Sequence, residues 1–341
     1  MKDRSLISLE SAVALYRTMV RIRAFENAAE EASKGGVAAF GASLADAQVR
    51  GPLHLSTGQE AVAAGVCAHL FRTDLMTSTH RGHGHTIAKG ASLATMMCEL
   101  FGRASGCNGG KGGSMHIADF SVGMLGANGV VAAGIPIAVG AAHALKVRGE
   151  EAIVACFFGD GAINRGPFLE GLNWAAIHRL RILFVCEDNR WSATTSTDAM
   201  TAGDGALARA RAIGVPGEQV DGNDVFDVAA AAHRQIEYVR SGAGPRVLHA
   251  ITYRVKGHVS VDPATYRDGE EVDRALEDDP IPAALARLLS MGAEKALLDA
   301  IRTQAAVEVE GALLAAGSGP WPDPRAAYTD IQDTGAGRWL G

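Results

Sequence analysis

The stretch from Ala152 to Asn189 reads AIVACFFGDGAINRGPFLEGLNWAAIHRLRILFVCEDN. Its opening, AIVACFF, is a short apolar run rich in β-branched and aromatic residues, suited to a strand buried on both faces of a parallel sheet. The run ends at Gly159-Asp160-Gly161, and a helix follows with Phe168, Leu172 and Ala175 on one face. A second buried run, Ile182 to Cys186, leads directly into Glu187-Asp188-Asn189. A right-handed crossover lays two such strands parallel, so Asp160 and Asn189 leave the sheet at the same carboxyl edge. The expected fold is therefore α/β, a mostly parallel twisted sheet with helices on both faces.

Upstream, Leu9, Val13, Tyr16, Val20, Ile22 and Phe25 recur at three-to-four-residue spacing and predict an amphipathic helix. From Gly35 to Gly51 the text turns small and glycine-rich, a loop before a helix around Gln59 to Leu70. Segments Thr77–Gly90, Gly102–His116 and Gly123–Gly134 read as loops carrying His80, Arg81, His83, His85, Lys111 and His116. Pro136, Gly140 and Ala144 share one stripe of the next helix, which would let another helix backbone approach closely. Downstream, Val247–Arg254 fits a further strand, and long helices are expected around Ile281–Leu289 and Glu294–Ala315, before an extended tail. The chain divides into a helix and irregular loop (1–50), a central α/β domain (51–280) and C-terminal helices with a tail (281–341).

The composition narrows the function. With 32 Lys+Arg against 38 Asp+Glu, the formal charge of −6 argues against a nucleic-acid backbone as partner, and 6% aromatics argue against base stacking. Five scattered cysteines without a CxxC pair exclude zinc ribbons and point to a reducing compartment. The start, MKDRSLISLE, has no apolar core of a signal peptide, so a cytoplasmic location is expected. The apolar stretch from Val130 to Ala142 is broken by Gly134, Pro136 and Gly140, well short of the roughly 18 residues that span a membrane.

Asp160 and Asn189 at one sheet edge offer a carboxylate and an amide oxygen, which suits magnesium completed by water and phosphate. Taken alone, GDG also fits an ordinary tight turn. A dinucleotide fold is a further reading, because GDGAIN supplies the first two glycines of GxGxxG, but Asn164 stands in the place of the third. A carboxylate about 5 Å from a phosphate is repelled by about 3 kcal/mol at an effective dielectric near 20, so Asp160 favours a cation-bridged diphosphate. Ser105 to Gly112 fails the P-loop pattern. Zinc held by His80, His83 and His85 is disfavoured, since no cysteine or paired acidic residue stands near them.

Gly159-Asp160-Gly161, 26 intervening residues and Asp188-Asn189 resemble the thiamine diphosphate motif. With HLSTGQEA from His54, HRGHGH from His80, GGKGGSMH ending at His116, GANGVV from Gly126 and TYRVKGH ending at His258, the chain resembles one subfamily. That subfamily is the alpha subunit of the thiamine-dependent 2-oxo-acid and acetoin dehydrogenase complexes. The resemblance implies that Asp160, Asn189 and the carbonyl of Trp191 bind Mg2+. It places His80, Arg81, Arg254 and His258 against the cofactor, the arginines on its diphosphate, Gly129 and Val131 along its aminopyrimidine, and Gly161 and Ala162 along its phosphates. His258 and His54 would act at the reacting carbon, where an imidazole can hold or yield a proton near neutral pH. It further implies a small-molecule substrate, a heterotetramer of two alpha and two beta subunits with an activating glutamate from the beta subunit, and transfer of the acyl group to a lipoyl-bearing acyltransferase core.

The sequence departs from this family at His80, where Tyr is usual, and at Asp188, where Asn is usual. Residues between Lys34 and Arg50 exceed the family pattern, close to where substrate would enter. Val259-Ser260-Val261 does not support regulatory phosphorylation after the motif histidine, and DPATYR from Asp262 reads closer to the acetoin type than to the pyruvate or branched-chain 2-oxo-acid types. A non-catalytic scaffold subunit, predicting no cofactor, and an NAD-dependent dehydrogenase, predicting no magnesium, are the rival readings.

Overall fold

The computed structural model describes residues 7–34, 48, 49 and 51–330. Residues 35–47 and 50, which hold most of the glycine-rich stretch read as a loop and as an insertion, lie outside the described residues. The strands are β1 (Leu75–Thr77), β2 (Met124–Gly126), β3 (Val154–Gly159), β4 (Ile182–Asp188), β5 (Trp191–Ser192), β6 (Thr195–Ser196), β7 (Gly217–Asp221) and β8 (Arg246–Ile251). Six form one parallel sheet in the order β2-β1-β3-β4-β8-β7, while β5 and β6 make a small antiparallel hairpin.

Strands β3 and β4 are buried almost throughout because helices cover both faces of the sheet. Alternation along β3 sends Val154, Cys156 and Phe158 to one face, where they meet Ile135, Phe168 and Leu172. Ala155 and Phe157 turn to the other, beside Leu183, Val185, Val228 and Ile236. A third cluster joins the chain ends: Tyr16 and Met19 of the helix Leu9–Ser33 pack with Leu298 and Ile301 of the helix Lys295–Ser318. From β1 the chain moves outward to β2, then returns to continue through β3 and β4 on the other side. That reversal opens a crevice at the carboxyl ends of β1 and β3, the place where open α/β sheets bind ligands.

Several expectations need correction. The helix expected over Gln59–Leu70 is shorter, Glu60–Cys67, and the Thr77–Gly90 loop contains a helix at His83–Ala88. The close helix approach comes from Gly171, where an added Cβ would meet Ile135 Cγ2 at 2.5 Å, whereas nothing lies within 4 Å of one at Gly140. Lys111 is not simply solvated, because its ammonium donates to Thr329 O at 3.0 Å and Asp330 Oδ2 at 2.8 Å. The tail is likewise held: Trp321 lies under the Arg103 guanidinium and Pro320 O accepts from the Ala104 amide. Among the described residues, no helix is long and apolar enough to cross a membrane.

Candidate active site

Four strand ends build the site. Residues 78–81 leave β1, the turn Asp160–Asn164 leaves β3, Asn189 and Trp191 follow β4, and Arg254 and His258 follow β8. Register places Gly159 opposite Glu187 and Asp188 opposite Ile251, so all four ends open at one edge. His54 arrives from the segment before the helix Glu60–Cys67, and Gly129 and Val131 from the loop after β2. The residues that the resemblance assigns to the cofactor, its metal and the reacting carbon, from His54, His80 and Arg81 through Ala162 and Trp191 to His258, line one cavity of about 200 Å³, whereas His83, His85, Lys111, His116 and Asp188 do not.

One corner of this cavity is acidic. Asp160 is buried, accepts from the Thr197 hydroxyl, and has no Lys, Arg or His ion-pair partner among the described residues. Burial raises its pKa, with Asp188 adding to the rise, as for a carboxylate whose charge no ion pair neutralises. The Asn189 side chain is clamped at both ends: its amide donates to Gln59 Oε1 at 3.1 Å and its carbonyl accepts from the Trp191 amide at 3.1 Å. Carboxylate, amide carbonyl and the nearby main-chain carbonyl of Trp191 form an all-oxygen set of the kind a hard divalent ion takes. Gly161 must remain glycine for the hairpin to close here, since an added Cβ would collide with the Ser192 hydroxyl.

The opposite corner is cationic and rich in imidazole. The rings of His54 and His80 lie 4.7 Å apart by centroid, His54 and His258 4.9 Å, and His80 and His258 5.6 Å. Burial first, then the Arg81 charge, drives His54 down to about 3, His80 down to about 2 and His258 down to about 4, so all three are neutral at pH 7. Arg81 is itself brought down to about 9 by burial and by Arg254, and Arg254 to about 10 by burial and by Arg267. Arg254 Nη2 donates to Ala193 O and to the Tyr266 hydroxyl at 3.0 Å each, but its buried Nε has no partner among the described residues, and neither has His54 Nδ1. Unpaired buried donors are costly unless a ligand satisfies them.

Sequence reading missed the residues that hold this set in place. Gln59 fixes Asn189, Thr197 fixes Asp160, and Asp262 accepts from the His258 amide at 2.6 Å and the Tyr266 hydroxyl at 2.7 Å. Gln59 stood in HLSTGQEA, and Asp262 and Tyr266 in DPATYR, but nothing in spacing marked Thr197. Asp188 turns away from the cavity: its Oδ2 meets His249 Nε2 at 2.8 Å, and its Oδ1 accepts from the Arg190 amide. His80, His83 and His85 do not converge. His83 bonds Glu26 and Ser114, His85 bonds Ser78, and His80 instead joins His54 and His258 with ring nitrogens within 4.8 Å of one another. The turn after β3 is a short 3-10 segment, not the helix N-terminus on which a dinucleotide pyrophosphate rests.

A family model described as Dehydrogenase E1 component matches residues 37–325. The chain belongs to this family. E1 components depend on thiamine diphosphate, and the residues lining the cavity are chemically compatible with an anionic group: Arg254 lines it with a buried Nε that has no hydrogen-bond partner among the described residues, and Asp160 lines it with no ion-pair partner among them. The alpha subunit of acetoin:2,6-dichlorophenolindophenol oxidoreductase from Bacillus subtilis is 41% identical over 94% of this chain and 93% of its own length. The subunit of the same description from Cupriavidus necator is 40% identical over 94% of each chain. The alpha subunit of the pyruvate dehydrogenase E1 component from Rhizobium meliloti is 38% identical over 95% of this chain and 90% of its own. Similarity over nearly the whole length places the sheet, the cavity and both flanking helical regions within one E1 unit.

Proposed function

We propose that this chain is the alpha subunit of a thiamine diphosphate- and Mg2+-dependent E1 component that cleaves acetoin and hands the acyl group to a lipoyl carrier. It works in the cytoplasm with a beta subunit, two of each, and with a lipoyl-bearing acyltransferase core. A 2-oxo acid such as pyruvate is the second reading, favoured by the cationic corner at Arg81 and Arg254. Acetoin is preferred because two relatives bearing that name stand at 41% and 40% identity, and because the reacting corner presents neutral imidazoles to an uncharged substrate. Residues 51–280 form the cofactor-binding domain, with 1–50 and 281–341 as extensions.

When bound, thiamine diphosphate supplies a nucleophilic carbon and a sink for the electron pair of the carbon–carbon bond that breaks. Asp160, Asn189 and the Trp191 carbonyl hold the magnesium ion. Arg254, whose Nε has no partner among the described residues, and Arg81 would supply positive charge to the diphosphate. Gly161 and Ala162 keep the phosphate side free of bulk, and Gly129 and Val131 border the other end. His258 accepts from Arg81 at Nδ1, so its neutral ring carries a hydrogen at Nε2 that can hydrogen-bond to a developing oxyanion. His54 and His80 present further neutral rings, able to accept a hydroxyl proton through hydrogen bonds.

The observation that carries this reading is the meeting, in one cavity, of a buried carboxylate that has no ion-pair partner among the described residues with a buried guanidinium whose Nε has no hydrogen-bond partner among them. Native mass spectrometry of the complex purified from its source tests it. A second chain of comparable size with thiamine diphosphate and magnesium is expected. A bound dinucleotide, or assembly with a beta partner that takes up no thiamine diphosphate, overturns it.

A further inference from the structure

Behind His54 lies a network that the site chemistry leaves unexplained. Glu26, on the inward face of the helix Leu9–Ser33, is fully buried, as is His83. Glu26 Oε1 accepts from the Ser56 amide at 2.9 Å and the Ser56 hydroxyl at 2.6 Å, while Oε2 meets His83 Nδ1 at 2.9 Å. On its other side, His83 Nε2 meets Ser114 Oγ at 3.0 Å, and Ser114 Oγ accepts from the backbone amide of His54 at 3.3 Å. None of these partners reaches the cavity except through His54.

The protons in this chain can be assigned. Burial pushes the Glu26 carboxyl up, but His83 and Ser56 outweigh it, so the group stays ionised and can only accept. His83 therefore carries a hydrogen on Nδ1, and in the neutral ring that is its only one. The His54 amide can only donate, which makes Ser114 Oγ an acceptor there and leaves its own proton for His83 Nε2. Every proton then runs one way, from the His54 amide through Ser114 and His83 to Glu26. The same carboxylate holds Ser56 directly, so one group fixes the segment at His54 and again two residues later. Arg81 Nη1 pins the intervening Leu55 carbonyl at 2.8 Å.

We propose that Glu26 is a positioning residue for His54, acting through Ser56 directly and through His83 and Ser114 on the His54 amide. This rests on the reading that His54 works at the reacting carbon. Displacing a working group by a fraction of an ångström costs rate more than binding, because the alignment matters chiefly in the transition state. The isosteric Glu26→Gln change is the informative one. Its amide oxygen can still serve Ser56, but its NH2 must donate to His83 Nδ1, which moves the imidazole hydrogen to Nε2. That hydrogen then points at Ser114, whose own proton loses its acceptor.

The test uses the assembled alpha–beta complex, with steady-state kinetics on acetoin and solid-state 15N spectra of histidine-labelled protein, His83 being assigned by its loss in His83→Gln. Glu26→Gln is expected to lower kcat at least tenfold with KM and thiamine diphosphate affinity within about twofold of wild type. The His83 signal is expected to change from the Nδ1–H to the Nε2–H tautomer. Ser114→Ala, at the far end of the relay, is expected to lower kcat by a smaller factor, and combining the two should cost less than the product of the separate effects. An unchanged His83 tautomer overturns the relay, and fully multiplicative effects on kcat overturn the shared route. Should wild type turn over neither acetoin nor pyruvate with thiamine diphosphate, the functional reading has failed instead, and the tautomer measurement still decides the proton assignment.

Discussion

Arg81 grips His258 twice, its Nη2 donating to the ring Nδ1 at 3.1 Å and to the backbone carbonyl at 2.8 Å. A guanidinium has no acceptor, so this contact fixes the imidazole tautomer as well as its position. The same charge is the second cause, after burial, of the low values of His54, His80 and His258.

Removing that charge should therefore raise all three histidines. In Arg81→Gln the acid limb of kcat/KM is expected to move upward by about one pH unit, since a like charge at contact commonly shifts a neighbour by 1–3 units. Rate profiles recorded at saturating cofactor check this. A limb that stays in place would show that burial alone sets the protonation state.

Stability should carry the same signature. These histidines are held below their ordinary value of 6.5, so between pH 6.5 and about 4 the unfolded chain binds protons that the folded chain does not. Stability must then fall as pH drops through that window, by up to about 1.4 kcal/mol per pH unit for each group. Asp160, whose pKa is raised, works in the opposite sense, from its ordinary value near 3.8 upward. His80→Tyr should flatten the plot of Tm against pH relative to wild type, with the contribution of the shared carboxylates cancelling in the difference.

Asp160→Asn separates folding from cofactor capture. The amide oxygen still accepts from Thr197 and the buried charge is gone, so Tm without cofactor should hold or rise by up to about 1 kcal/mol equivalent. Magnesium-dependent affinity for thiamine diphosphate should fall at least tenfold by calorimetric titration. Unchanged affinity would remove Asp160 from the cation site.

Gly161→Ala puts a methyl group against the Ser192 side chain, where the hydroxyl must turn away and Cβ still lies 3.0 Å from the new carbon. Overpacking of this kind costs about 1–3 kcal/mol. Because the strain falls on the hairpin beside the cavity, cofactor binding should weaken, and adding Ser192→Ala should recover part of it. Failure of the second change to help would place the strain elsewhere.

How far the fold could be read depended on burial. β3 and β4 are runs of apolar residues covered on both faces, so their composition alone announced them, and with them the positions of Asp160 and Asn189. β1 and β2 are three residues each, too short for any pattern, and β2 lay inside a segment that glycine made look like a loop. β7, GEQVD, is a polar edge strand, and the helix Gly269–Glu277 buries nothing, so neither left an apolar signal. The cavity residues were legible through motifs. Their supports were not, because Thr197 reaches Asp160 and Glu26 reaches His83 through folding contacts that span 37 and 57 positions.

The site draws one side chain or loop from each of several distant segments, and Arg81 and His258 stand 177 positions apart. No fragment of the chain short of nearly its full α/β sheet can thus assemble it. Capture of thiamine diphosphate becomes a report on completed folding, and by mass action it adds RT ln(1 + [L]/Kd) to the stability of the whole domain. Depletion of the cofactor would therefore withdraw that increment from the whole domain at once and not from the site alone.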